Sequence, residues 1–259
     1  MTQKTALVLS GGGMFGAWQA GAWSALSERF QPDLVVGASV GSLNGYAIAS
    51  GWTPEALCEF WRQGQPARFA HLEATARRLT AAPLRREFAV VVVDLMRMRP
   101  ITVSGDGVSW KHLVASCAVP GIVRPRRIDG RWCADGGLVN PLPVWAAVEL
   151  GATRIVALNA LPEIPSAVLK PLVRAFRAAF GYQPLLPPRI RLTTLTPGER
   201  LGSLWSAIRW DSAKAAHWIA LGQQDADPDG AGGGKAVQAR ADQTCGFVLR
   251  AGLRHLHSS

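Results

Sequence analysis

A serine and an aspartate, each set among glycines, are the residues of this sequence whose types and spacing could do chemistry. Ser39 is the centre of Gly37-Ala38-Ser39-Val40-Gly41, a G-x-S-x-G pattern between an apolar run and a run rich in small residues. Small flanking residues allow a tight strand-to-helix turn, which exposes the serine hydroxyl and aims the N–H groups of the following helix at it. The alternative is a glycine- and serine-rich helix start at which Ser39 only caps the helix.

The aspartate stands before a pair of glycines. Asp135 precedes Gly136 and Gly137 in the stretch CADGGLVNPLP, which predicts a turn that leaves a short strand. Such a turn would expose the acidic side chain and make it available for chemistry. The alternative is a plain Asp-Gly hairpin turn, which has the same sequence. A nucleophilic serine needs a base within hydrogen-bonding reach. His217, inside a predicted late helix, is the histidine considered for that role, and a structural role is favoured for it.

A glycine-rich stretch, GGGMFGAWQAG, spans Gly11 to Gly21 after the first apolar run. Gly11, Gly13 and Gly16 match the G-x-G-x-x-G of dinucleotide-binding turns, which also need an acidic residue at the end of the next strand to hold the ribose. That end reads VVGAS, and Asp33 stands at the start of the strand instead. A nucleotide-binding oxidoreductase is therefore disfavoured. The backbone N–H groups of the glycine stretch would then bind a negative charge other than a pyrophosphate, such as an oxyanion formed during a reaction.

Hydrophobic patterning predicts the elements that must position these residues. Short apolar runs predict buried strands at 5–9, 33–37, 88–94, 101–104 and 153–159. Periodic runs between and after them predict helices at 14–29, 39–51, 54–64, 108–118, 143–151, 166–182 and 203–226. Strands that alternate with helices predict a three-layer α/β/α fold with a largely parallel central sheet. The stretch 66–86 has no clear pattern.

Together these motifs resemble those of the patatin-like phospholipases. The resemblance covers residues 5–226 and includes the glycine loop, the G-x-S-x-G, the late D-G-G, and the stretches ASCAVPG and NPLPV. It implies a patatin-like fold and a catalytic dyad of Ser39 and Asp135 in place of a triad. It also implies an oxyanion hole in the loop formed by Gly11, Gly12 and Gly13. Acyl esters of lipids are the implied substrates, cleaved through an acyl-enzyme with no metal or organic cofactor.

One position departs from the family pattern. The family's loop usually reads G-G-G-x-R/K-G, in which the cation braces the oxyanion loop, whereas this sequence has Phe15. Since the oxyanion donors are backbone groups, the reaction class is expected to hold, and Phe15 is expected to offer an apolar surface near the site. A weakly active or inactive module that binds a lipid or a partner is the alternative. An α/β-hydrolase triad is disfavoured because the chain before Ser39 is too short for the strands that precede that nucleophile.

The amino-acid composition indicates the domain organisation and the state of the cysteines. The chain has 259 residues, of which 48% are hydrophobic and 18% charged, which suits one large domain with a core. We expect a patatin-like domain at 1–226, followed by a Gly/Asp linker and a peripheral tail at 227–259. The spacing of the four cysteines matches neither a zinc site nor a disulfide framework, and they are expected to be reduced thiols of an intracellular protein: Cys58, Cys117, Cys133 and Cys245.

The net charge of +10 raises the question of an anionic partner. The basic residues are spread along the chain, which favours compositional bias, and no nucleic acid is expected. The predicted helix 166–182 carries Lys170, Arg174 and Arg177 opposite an apolar face, as on an ordinary surface helix or one that lies on an anionic membrane. No signal-peptide core or membrane-spanning run is present, so a cytoplasmic protein, peripheral to a membrane at most, is expected. The sequence leaves the oligomeric state open.

Overall fold

A computed structural model of the chain describes residues 3–64, 71–119, 121–162 and 186–227, the backbone of 235–240, and single residues between 171 and 184. Within these residues, nine strands form one mixed sheet. The strands are β1 (Thr5–Leu9), β2 (Leu34–Ala38), β3 (Glu87–Asp94), β4 (Arg99–Ser104), β5 (Arg126–Ile128), β6 (Arg131–Asp135), β7 (Arg154–Leu158), β8 (Arg191–Thr196) and β9 (Lys235–Arg240). Their order is β5-β6-β3-β2-β1-β7-β8-β9, and β4 also pairs with β3.

The helices connect and cover these strands. They are α1 (Gly16–Leu26), α2 (Val40–Ala49), α3 (Pro54–Arg62), α4 (Leu72–Thr80), α5 (Trp110–Ser116), α6 (Val144–Glu149), α7 (Leu204–Ile208) and α8 (Ser212–Ala226). Local chemistry sets several of their starts. At α3, for example, the Thr53 side chain accepts a hydrogen bond from the N–H of Ala56, and Pro54 occupies the first position, where its missing N–H costs nothing. No helix among the described residues is long and apolar enough to cross a bilayer.

The sheet separates two hydrophobic cores. Its five central strands, β3, β2, β1, β7 and β8, are mutually parallel. Alternate residues of β1 point to opposite faces: Leu7 and Leu9 pack in the core that includes α1, α2 and α8, while Ala6 and Val8 pack in the core that includes α6. The predicted three-layer α/β fold with a largely parallel sheet is confirmed.

The predicted late helix at 203–226 is two helices in the structure. Arg209 adopts an extended conformation, and α7 ends there. The Asp211 carboxylate then accepts a hydrogen bond from the N–H of Lys214 and caps α8. The break separates a short helix beside the candidate site from the long helix that packs on α1.

Four strands or helices were not predicted, and the shortest of them is β5 (Arg126–Ile128). The helix α4, which begins at Leu72, lies in the stretch 66–86 that had no clear pattern. The strand β8 was missed because threonines interrupt its apolar run. The strand β9 lies in the segment expected to be a peripheral tail, yet it pairs antiparallel with β8. The sheet therefore continues past the expected boundary at 226, whereas residues 228–234 of the expected linker at 227–235 lie outside the described residues.

Candidate active site

Two strands end facing each other beside β3. One edge of β3 is occupied by β4. Along the other edge, pairing with the parallel strand β2 ends with Ala38 opposite Val91. Pairing with the antiparallel strand β6 then begins with Asp135 opposite Val92. Since Ser39 directly follows Ala38, the register of three strands brings Ser39 and Asp135 together although they are far apart in the sequence.

Ser39 lies in a strained turn between β2 and α2. Its φ of 54° and ψ of −134° are uncommon for a residue with a side chain, and such strain is often found at functional sites. The flanking glycines make the turn sterically feasible. A Cβ on Gly37 would lie 2.3 Å from the carbonyl oxygen of Gly41, and one on Gly41 would lie 2.5 Å from that of Leu9. The G-x-S-x-G pattern is therefore required by packing at both glycines.

The Ser39 hydroxyl donates a hydrogen bond to the Asp135 carboxylate, with 2.7 Å between Oγ and Oδ2. The other carboxylate oxygen accepts from the N–H of Gly137 at 2.6 Å, so the D-G-G turn orients the group. Only 7% of Ser39 and 4% of Asp135 are exposed. Burial raises the pKa of Asp135 to about 6, against the hydrogen bonds from Ser39 and Gly137, which lower it. The carboxylate is thus ionised at neutral pH and more basic than an ordinary aspartate.

A second serine, which the sequence analysis did not single out, holds the backbone of the turn. The N–H of Ser39 donates to Ser116 Oγ at 2.8 Å, and that hydroxyl donates to the carbonyl oxygen of Val91 at 2.7 Å. Ser116 thereby ties the turn to the sheet. It lies in the stretch ASCAVPG, where the signal was present but no role could be assigned to it.

The glycine loop lies against Ser39. A Cβ on Gly11 would be 3.2 Å from the Cβ of Ser39, and Gly13 has a φ of 58° with no room for a side chain before the Ala207 backbone. The N–H of Gly11 donates to the carbonyl oxygen of Pro141 at 2.9 Å. Among the described residues, the N–H groups of Gly12 and Gly13 have no backbone acceptor. The three glycines therefore differ: the N–H of Gly11 is hydrogen-bonded to Pro141, whereas those of Gly12 and Gly13 donate to no backbone group of the described residues.

Buried amide side chains brace this loop. Gln19 donates to the carbonyl oxygen of Ser10 at 2.8 Å, just before the loop. Asn44 donates to the carbonyl oxygen of Gly16 at 2.9 Å, just after it, and to Gln19 Oε1 at 3.0 Å. Trp61 donates its ring N–H to Asn44 at 2.8 Å. Both amides are fully buried, so this network fixes both ends of the loop from underneath.

Phe15 lies in the hydrophobic core. It is 1% exposed and packs edge-to-face against Trp218, with 5.1 Å between ring centroids. It does not belong to the cavity wall described below. The expectation that Phe15 offers an apolar surface near the site is therefore wrong. The ring packs against Trp218 of α8 in the core instead.

A cavity of about 500 Å³ opens at Ser39 and Asp135. Gly11, Gly12 and Gly13 line it, and most of the remaining wall is apolar, including Met14, Val40, Leu43, Leu72, Ile122, Leu161, Leu204 and Ile208. Such a cavity suits a ligand with a hydrocarbon chain. Among the described residues, no group of three or more His, Cys, Asp or Glu is placed to hold a metal ion.

Other residues considered from the sequence lie elsewhere. His217 is on the surface of α8, where its Nε2 lies 3.1 Å from Glu199, and it does not line the cavity. Three cysteines are free thiols, of which Cys117 forms part of the cavity wall, while Cys245 lies outside the described residues. Lys170 and much of the predicted helix 166–182 also lie outside them. Within that stretch, Arg174 is exposed and Arg177 lines the cavity.

Comparison with known proteins identifies the family. The pattern of the patatin-like phospholipase family matches residues 7–89 and 73–148, which together are more than half of the chain. This chain belongs to the patatin-like phospholipase family.

The similar proteins are mostly larger. An NTE family protein of Mycobacterium tuberculosis is 29% identical over 200 residues, which are 66% of this chain and 54% of that protein. Lysophospholipase NTE1 of Mycosarcoma maydis is 30% identical over 178 residues, 59% of this chain and 9% of that protein. The chain thus spans about half the length of the mycobacterial relative. Among solved structures, VipD from Legionella pneumophila aligns with a TM-score of 0.54 at 14% identity, over 85% of this chain and 65% of that chain, a likeness of fold.

Proposed function

We propose that this protein is a serine hydrolase of lipid acyl esters that uses a dyad of Ser39 and Asp135. The 2.7 Å hydrogen bond from the Ser39 hydroxyl to the buried Asp135 carboxylate, inside an apolar cavity, is the observation that carries the proposal. Membership of the patatin-like phospholipase family supports it, as does the similarity to the lysophospholipase of Mycosarcoma maydis.

The reaction proceeds in two displacements. In the first, Asp135 takes the proton of Ser39 while Oγ attacks the ester carbonyl carbon, and the same proton then passes to the departing alcohol. In the second, Asp135 takes a proton from water, whose oxygen attacks the acyl-enzyme. The carbon–oxygen bond to Ser39 breaks, the serine recovers a proton, and a fatty acid leaves. One carboxylate serves both steps because it returns to its ionised form after each.

The N–H groups of Gly12 and Gly13, which have no backbone acceptor within the described part of the chain, are the proposed oxyanion donors. Backbone donors fixed before the reaction stabilise developing charge without reorganisation, and removal of one donor costs roughly 3 kcal/mol of transition-state stabilisation in a hydrolase of another fold. Gly11 is proposed to shape the loop instead, since its N–H is bonded to Pro141. The network of Gln19 and Asn44 is proposed to supply the rigidity that a basic side chain supplies in the family's usual loop.

We also propose that the face around the cavity meets an anionic membrane. Five large hydrophobic side chains are exposed in the described part of the chain: Met96, Ile122, Trp132, Leu204 and Trp205. Ile122 and Leu204 line the cavity, and Trp205 follows Leu204 with 74% exposure. Met96 and Trp132 lie past the C-terminal end of β3, which is the end of the sheet where Ser39 lies.

Charge supports a lipid surface as the partner of this face. Exposed arginines accompany the hydrophobic side chains, namely Arg97, Arg124, Arg127 and Arg131, and the net charge of the chain is +10. Tryptophan prefers the membrane interface, and basic residues are attracted to anionic lipids. A hydrolase of membrane lipids would meet its substrate at such a surface.

Hydrolysis of a p-nitrophenyl acyl ester tests the dyad. Ser39→Ala and Asp135→Asn are each expected to lose at least a thousandfold in kcat/KM while their melting transitions stay cooperative. Ser50→Ala is the matched control, because this buried hydroxyl donates to the carbonyl oxygen of Ala47 at the far end of α2, and the activity of this variant should equal that of the parent. Full activity in either dyad variant would overturn the mechanism. Tight binding of the ester without hydrolysis in the parent protein would favour the binding module.

A further inference from the structure

Arg177 brings a cation to the wall of an otherwise largely apolar cavity. Its Nε is buried and has no hydrogen-bond partner, and no ion pair of its guanidinium is found among the described residues. Burial lowers the pKa of the Arg177 guanidinium from its usual value, yet arginine stays charged at neutral pH. Arg177 is half-buried, and a buried guanidinium N–H without an acceptor is unfavourable, which indicates a place for an anionic group of a ligand.

The dyad does not use this cation. Both Asp135 oxygens accept protein hydrogen bonds, and the influences on the Asp135 pKa are burial, Ser39 and Gly137, with none from Arg177. Arg177 and Asp135 thus line the same cavity, and the hydrogen bonds of the Asp135 carboxylate come from Ser39 and Gly137. Arg177 is not a brace for the base.

The different partners of the dyad indicate which part of a substrate Arg177 meets. In the proposed reaction the ester carbonyl must lie at Ser39, so the fatty-acid carboxylate also forms there, beside the proposed donors Gly12 and Gly13. The acyl tail is uncharged and suits the apolar wall. The part that remains is the alcohol portion of the ester, which in phospholipids carries the phosphate. The planar guanidinium fork matches two phosphate oxygens.

We propose that Arg177 binds the phosphate of a lipid substrate and thereby selects phosphate-bearing acyl esters over neutral ones. This inference rests on the proposed lipid acyl hydrolase function. The cation comes from the stretch predicted as a basic surface helix, where Arg174, three residues earlier, is exposed and serves as a matched control. The two arginines thus have different surroundings: one lines the cavity and one faces solvent.

Hydrolysis of paired substrates tests the selectivity. A monoacylglycerol phosphate and the monoacylglycerol with the same chain are compared below their critical micelle concentrations. The parent protein is expected to prefer the phosphate, and Arg177→Gln to lower the ratio of the two kcat/KM values at least tenfold through KM. Arg177→Lys should retain part of the preference and Arg174→Gln all of it. An unchanged ratio in Arg177→Gln, or no preference in the parent, would overturn the proposal.

A binding experiment separates this proposal from the hydrolase function. In the Ser39→Ala background, calorimetry compares dodecyl phosphate, dodecanol and inorganic phosphate. Dodecyl phosphate is expected to bind at least tenfold more tightly than dodecanol, and Arg177→Gln to remove that difference. Inorganic phosphate that binds as tightly as dodecyl phosphate would contradict a lipid head group. If neither ester is hydrolysed by the parent, the hydrolase function fails, and these affinities still decide the role of Arg177.

Discussion

The Asp135 carboxylate is buried, yet it must be ionised to act as a base. Burial alone would push its pKa higher, and the hydrogen bonds from Ser39 and from the N–H of Gly137 favour the charged form. The resulting pKa of about 6 makes a stronger base than an ordinary aspartate and leaves it ionised near pH 7. Two neighbours thus set the protonation state on which the proposed reaction depends.

Hydrolysis should therefore depend on pH as a single ionisation. We expect log kcat/KM for a neutral p-nitrophenyl ester to rise with unit slope at low pH and to level off above about 6, the pKa of Asp135. A pH–rate profile in buffers of constant ionic strength measures it. A profile that levels off near pH 4, or a decline across pH 6, would show that the base is not Asp135.

The same pKa shift predicts the pH dependence of stability. The pKa of Asp135 is higher in the folded protein than in the unfolded chain, so the folded state holds this proton more tightly. Its contribution to the free energy of unfolding therefore decreases as pH rises from about 4 through 6, by roughly 3 kcal/mol. Asp135→Asn removes the buried charge. We expect thermal melts to show this variant gaining several degrees over the parent at pH 8 and little at pH 4. An equal difference at both pH values would contradict the shift.

At the scale of elements, strand register and loop bracing position the site. The ends of β2 and β6 meet on one edge of β3, and Ser116 ties the intervening turn to that strand. The glycine loop between β1 and α1 is held by Gln19 and Asn44, and Phe15 anchors it to α8 through Trp218. In this chain the loop is thus held by buried amides and an aromatic contact.

Restoring the family's usual residue should consequently be harmful here. Phe15→Arg would place a charge in the core beside Trp218 and remove an aromatic contact. We expect a loss of roughly 3 kcal/mol in the free energy of unfolding, measured by urea denaturation, and lower hydrolytic activity. Phe15→Leu is the control and should lose much less. Wild-type stability with raised activity in Phe15→Arg would show that the missing cation limits the site.

At the scale of the whole molecule, the cavity and the exposed hydrophobic side chains lie at the same end of the sheet, where β3 ends. The groups proposed to meet a lipid surface thus lie on one face of the chain. Trp132 and Trp205 are the large aromatic residues of that face. Ala81, exposed just before β3 begins, lies toward the opposite end.

Vesicle binding tests this asymmetry. We expect Trp132→Glu combined with Trp205→Glu to weaken binding to anionic phospholipid vesicles roughly tenfold, because two interfacial anchors are replaced by like charges of the membrane. Ala81→Glu should bind as the parent does. Sedimentation with vesicles at fixed ionic strength measures both. Equal weakening by Ala81→Glu would mean that net charge alone controls binding.

The sequence predicted the local motifs of this fold well. The turn at Ser39 depends on neighbouring glycines, and the D-G-G turn at Asp135 depends on its own backbone, so both could be predicted without knowledge of the fold. Four of the five central parallel strands were predicted because each is a continuous apolar run, whereas threonines interrupt the apolar run of β8, which was not predicted. The expected domain boundary at 226 stays a prediction, although β9 joins the sheet after it.

The remaining features depend on contacts between distant segments. Ser116, Gln19 and Asn44 acquire their roles only when the sheet and helices pack, and nothing local distinguishes them. Likewise, the sequence placed Arg177 on a basic helix face, but only the fold shows that it lines the cavity. The inward position of Phe15 depends on Trp218, which is some two hundred residues away.

Covalent labelling tests the central claim most directly. A fluorophosphonate probe reacts with activated serine nucleophiles, and peptide mass spectrometry locates the modified residue. We predict modification at Ser39 in the parent protein, none in Ser39→Ala, and much slower modification in Asp135→Asn. Modification of another residue, or a folded parent protein that does not react, would contradict the assignment of Ser39 as the nucleophile.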